Sequence, residues 1–199
     1  MKKLYFRNST LLAVLLLFTV ISATQLSAQQ GKSFKWTMTL QNEKTGTVPF
    51  SAPVQSANGE RFKILIKPDV KSFVYIIAED PEGEVTVLYT GAMKSNVMWS
   101  SDFLELTSPQ GSESLYIVAS LEEQKALAQR IDALEENAGT TQKRALINEV
   151  LRIRSETSKF KEAPEKPVLM GGATRGSEES EGIEFSGLRT YVKTISIEH

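Results

Sequence analysis

Residues 59–89 read GERFKILIKPDVKSFVYIIAEDPEGEVTVLY, and the fold turns on this stretch. Phe62, Ile64 and Ile66 alternate with Arg61, Lys63 and Lys67, a spacing that predicts a strand with one apolar and one basic face. Pro68 and Asp69 stop the run. Residues 73–78 are apolar throughout, so both faces of that strand must be covered, and it reads as the central strand of its sheet. Asp80, Pro81, Glu82 and Gly83 fit the four positions of a type I turn. Val85, Val87 and Tyr89 return as a third strand, giving three strands joined by two short turns.

Working outward, residues 33–40 set Phe34, Trp36, Met38 and Leu40 against Lys35, Thr37 and Thr39, the period of a half-buried strand expected at the sheet's edge. Residues 41–59 read mostly as loop around Val48 and Phe50. Residues 90–101 are again loop, interrupted by Val97, Met98 and Trp99. A short strand follows at Phe103, Leu104 and Leu106, then a turn at Pro109, Gln110 and Gly111. Residues 114–120 form one more strand, with Leu115, Ile117 and Ala119 opposite Tyr116 and Val118.

The period then lengthens. Ser120 with Glu123 has the pattern of a capping box, and Leu127, Ile131, Leu134 and Ala138 recur at helical spacing up to Gly139. Thr141 is placed to cap a second helix with Leu146, Val150, Ile153 and Phe160 on one face. Acidic residues dominate the first segment and basic residues the second, so an antiparallel helical hairpin is expected over residues 121–160. Residues 161–187 lose periodicity, with prolines, glycines and the run Glu178, Glu179 and Glu181, and read as a flexible linker. Alternation resumes in residues 188–199, where Tyr191, Ile195 and Ile197 oppose Thr190, Thr194 and Ser196 as a closing strand. The expected class is α+β: an antiparallel β-sandwich or partly open barrel over residues 29–120, completed by the C-terminal closing strand, with the helical hairpin inserted.

At the N-terminus, Lys2, Lys3 and Arg7 precede an apolar run over residues 11–21 and a small-residue segment, which together read as a signal peptide over residues 1–28, cleaved after Ala28. The run is too short to span a bilayer, so no stable span is expected after cleavage. The expected location is periplasmic, on the outer surface, or secreted. The 199 residues carry a formal net charge of −1 and no cysteine. Near-neutrality gives no reason to expect a nucleic-acid partner, and disulfides and thiolate chemistry are excluded.

Residues 62–66, Phe73-Val74-Tyr75-Ile76-Ile77, Asp80 with Gly83, Val85, Leu88-Tyr89, Asn96-Val97, Pro109, Gly111, Glu113 and residues 115–120 together resemble the domain-of-unknown-function family numbered 4384. Thr90 and Gly91 depart from it where the family usually places a proline. The resemblance spans residues 59–120, rests on packing and turn residues, implies an accessory or interaction role, and transfers no catalytic residue.

The only histidine, His199, is the last residue, where fraying is expected. A Ser-His-Asp arrangement or histidine metal cluster would depend on that one ring. No cofactor or metal is expected. Paired carboxylates among Asp102, Glu105 and Glu113 are the remaining acid–base device, so a hydrolase is the alternative reading. Asp80, Glu82 and Glu84 alternate like calcium ligands, but the turn explains them. Residues 171–176 lack the lysine of a phosphate-binding loop. Strand aromatics read as core, whereas Trp99, in a loop, is a candidate binding residue together with Met98. Arg61 and Lys63 are the candidate basic contacts. The expected function is a non-catalytic envelope module that binds a protein, or a glycan, through these loops and the hairpin. Self-association as a structural homo-oligomer is the third reading.

Overall fold

The computed structural model describes residues 34–157, 166–170 and 180–199. The signal-peptide reading and Phe160 lie outside the described residues. One sheet contains β1 (Phe34–Asn42), β2 (Gly46–Val48), β4 (Arg61–Pro68), β7 (Trp99–Ser100), β8 (Leu104–Glu105), β10 (Lys166–Met170) and β11 (Ser180–Gly187). Its main order is β10-β11-β1-β4-β7, with β2 on β1 and β8 on β4. The second runs β3 (Val54–Gln55), β12 (Thr190–Glu198), β9 (Ser112–Ser120), β5 (Ser72–Glu79) and β6 (Val85–Met93). All pairings are antiparallel except β3 with β12. The two sheets face each other as an open sandwich.

Alternation creates the core between them. Phe34, Trp36, Met38 and Leu40 of β1 and Phe62, Ile64 and Ile66 of β4 meet Val74, Ile76, Leu115, Ile117 and Ile195 of the opposite sheet. Trp36 stacks on Phe185 of β11, with ring centroids 4.8 Å apart. The other face of the second sheet is equally apolar. There Tyr75, Ile77, Tyr116, Val118 and Val192 are covered by α1 (Lys125–Glu136) and α2 (Thr140–Thr157), through Leu127, Ile131, Leu134, Leu146, Val150 and Ile153. The described residues thus form three layers, sheet, sheet and helical hairpin, and residues 73–78 are covered on both faces as their composition requires.

The α+β sandwich, the hairpin and the closing strand match expectation; several placements differ. β4 and β5 do not form a hairpin: the chain crosses from one sheet to the other between Pro68 and Ser72. β5 is flanked by β9 and β6, and β9 is the middle strand. β1 is interior, because residues 180–187 pair with it in the register Phe34↔Gly187 to Met38↔Ile183. The expected linker over residues 161–187 therefore contains two strands, which place Phe185 in the core. Ser120 does not cap α1, which begins at Lys125 with no side-chain cap on its first turn. Instead the Ser120 hydroxyl accepts from the Gln124 side chain, and Tyr75 Oη accepts the Gln124 backbone N–H at 3.0 Å. Ala138 is exposed rather than part of the stripe.

The turn over Asp80–Gly83 forms as read. Gly83 N–H donates to Asp80 O, while Asp80 Oδ1 accepts the N–H groups of Glu82 and Glu84. Gly83 has φ +80°, a backbone angle that favours glycine there.

Candidate functional site

The strand β4 presents Arg61 and Lys63 outward, and the chain between β7 and β8 brings Phe103 beneath them. Arg61 Cζ lies 5.2 Å and Lys63 Nζ 5.1 Å from the Phe103 ring centroid. Arg61 also pairs with Glu43 at 2.8 Å, both side chains about 40% exposed. These two basic residues therefore share one half-shielded aromatic platform.

Trp99 lies elsewhere. It pairs with Ile66, and residues paired directly across an antiparallel ladder point to the same face. Ile66 points into the sandwich, so Trp99 does too, and its ring meets Tyr89 of β6 at 4.8 Å. The Trp99–Tyr89 contact closes one side of the sandwich between edge strands of the two sheets. Trp99 is thus not a loop-borne anchor; it is a half-buried core residue, with Met98 half-buried beside it. The register separates Trp99 from Arg61 and Lys63 across the sheet.

At the end of the sandwich where β9 begins, the structure assembles a cluster the sequence reading passed over. His199 is held by a reciprocal backbone pair with Gly111, both distances 3.0 Å, in place of the expected fraying. Its imidazole is fully buried, with Nδ1 2.6 Å from Asn58 Oδ1 and Nε2 3.3 Å from Glu113 Oε1. Burial pushes the Glu113 carboxyl above its ordinary range; His199 opposes the shift and Asp80 adds to it. The signal was present in β12: Ile195, Ile197 and His199 share one parity, so the ring follows the inward face.

Beside this cluster an inter-sheet cavity of about 40 Å³ is lined by Leu104, Glu105, Glu113 and apolar core residues. That volume has room for a few waters and is far below the several hundred Å³ of ordinary ligand pockets. Asp102 and Glu105 are exposed. A larger cleft, about 320 Å³, opens between the Asp80–Gly83 turn and α2, with Glu79, Glu82, Lys143 and Arg144 on its walls. Lys143 pairs there with Glu84, and Tyr116 Oη donates to Glu79 Oε2 at 2.9 Å. Asp80, Glu82 and Glu84 stand at the turn as read, and among the described residues no group of three or more His, Asp or Glu side chains could hold a metal ion.

No family model, no curated protein and no solved structure matches the chain. No helix among the described residues is long and apolar enough to cross a membrane.

Proposed function

We propose that the chain is an exported, non-catalytic accessory or interaction module of the bacterial cell envelope, acting by contact with a protein or glycan. One observation carries this reading: the sole imidazole is packed between Asn58 and Glu113 as part of the scaffold. The helical hairpin supports it in modified form. Its inner face is committed to the sheet, so contact falls to its outer face and to the cleft at Lys143 and Arg144. The resemblance over residues 59–120 points the same way.

The hydrolase reading keeps one specific support, since Glu105 and Glu113 line the same cavity and the Glu113 carboxyl is raised. A substrate screen decides between the two. Turnover abolished by Glu113→Gln or Asp102→Asn overturns the contact reading, and a flat screen leaves it standing. Export is checked separately: N-terminal sequencing of the chain recovered from a cell fraction is expected to begin at Gln29.

A further inference from the structure

We propose that Asn58-Gly59 is a self-modification site, a deamidation switch that the end of β12 holds closed. The reacting groups are the Asn58 carboxamide and the backbone nitrogen of Gly59, and the co-reactant is water. The Gly59 nitrogen attacks Asn58 Cγ, the new C–N bond closes a cyclic imide, and the side-chain nitrogen leaves as ammonia with the proton that the Gly59 nitrogen gives up. Water then adds to one ring carbonyl and cleaves its bond to the ring nitrogen, leaving aspartate or isoaspartate at position 58. Glycine suits this step, because without a Cβ its nitrogen is open to approach and its backbone is free to turn. No other asparagine in the sequence precedes a glycine.

The fold presents the pair and restrains it. Asn58 and Gly59 are exposed at a tight turn, with Glu60 N–H donating to Ala57 O at 3.1 Å and Gly59 at φ +79°. Both reacting groups are held there. Gly59 N–H donates to Leu106 O at 2.8 Å. Asn58 Oδ1 lies 2.6 Å from His199 Nδ1, and Asn58 Nδ2 donates to Ser108 Oγ at 3.5 Å. Attack requires the Gly59 nitrogen to lose its proton and the carboxamide to swing onto it, so these bonds must break first.

A single opening breaks them. Ser56 N–H donates to Glu198 O at 2.9 Å, so Glu198 and His199 tie the turn on both sides of Ala57. If that end of β12 lifts, the Asn58 side chain and its loop are released together. Local openings of this kind occur at free energies well below that of global unfolding. Reclosing does not reverse the product. Isoaspartate adds a carbon to the backbone before Gly59 and displaces its bond to Leu106, and aspartate sets a second carboxylate beside Glu113 at His199. The site thus records in covalent form that this end has opened.

The proposal goes beyond the contact reading, and its failure leaves that reading intact. The purified full chain is incubated in mildly alkaline buffer, folded and in denaturant, and peptide mapping by mass spectrometry follows aspartate and isoaspartate at position 58. In denaturant Asn58 is expected to convert ahead of every other asparagine, and in the folded chain about tenfold more slowly or less. His199→Ala should raise the folded rate toward the denatured one and leave the denatured rate unchanged. Where that variant lacks a cooperative melting transition, the parent chain supplies the test: below its denaturant midpoint, conversion should accelerate in step with exchange of the Gly59 amide hydrogen. Equal rates in the folded and denatured chain, a folded rate untouched by His199→Ala, or conversion that does not follow Gly59 exchange each overturns the proposal. So does conversion of Asn58 in denaturant no faster than that of the other asparagines.

Discussion

Glu113 and His199 face each other across 3.3 Å. Asn58 Oδ1 accepts from His199 Nδ1 in the tautomer that protonates that nitrogen, and Nε2 then faces the Glu113 carboxyl. With its folded-state value raised above the ordinary 4.5, Glu113 binds its proton more tightly folded than unfolded. Its contribution to stability is full below the unfolded value and is lost as pH rises through the folded one. Glu113→Gln is expected to flatten the stability profile between the unfolded and folded values and to be at least as stable as the parent at neutral pH. Denaturant midpoints from about pH 4 to 8 measure this; an unaltered slope places the dependence on other groups.

Trp99 and Arg61 make a contrasting pair. Trp99→Ala removes the Tyr89 contact and inward packing and is expected to cost about 2 kcal/mol. Arg61→Ala breaks an ion pair whose side chains are about 40% exposed and should cost about 0.5 kcal/mol or less. Chemical denaturation separates them, and an unmoved midpoint for Trp99→Ala would contradict its place in the sandwich.

Among elements, β9 has the greatest reach, because its two faces serve different cores. Ile117 lies between the sheets and Val118 beneath the helices. Ile117→Ala is expected to cost ~2–5 kcal/mol by leaving a cavity between the sheets. The hairpin is a layer, not a pendant. Replacing residues 121–160 by a short loop would uncover Tyr75, Ile77, Tyr116, Val118 and Val192, and an aggregated product on size exclusion is the expected outcome. The amphipathic periods of both helices were legible, as were the Asp80–Gly83 turn and the two-sided burial of β5. Those are local signals. Whether residues 69–71 reverse the chain within one sheet or carry it to another was not, since a short connection serves both. β11 escaped notice because Ile183 and Phe185 show their alternation amid Glu, Ser and Gly, the composition of a linker.

For the whole molecule, class and layering follow from patterns in short windows, whereas strand order follows from pairings between distant segments. That is why β1 read as an edge: its partner Gly187 lies far down the chain, and no local pattern announces it. The same distance hid the candidate cluster, which needs Asn58, Glu113 and His199 brought to one end. Loss of residues 188–199 would remove β12, which joins β3 to β9 inside the second sheet. The shortened chain is expected to be insoluble or to lack a cooperative melting transition, as scanning calorimetry or circular dichroism would register.

The pairing of β1 with β11 also dictates timing. Residues 34–38 cannot complete their hydrogen bonding until residues 183–187 have been delivered, so that side of β1 stays open until the chain is nearly whole. Closure of the first sheet is therefore a late step, and the open side of β1 is the edge exposed to wrong pairing until then.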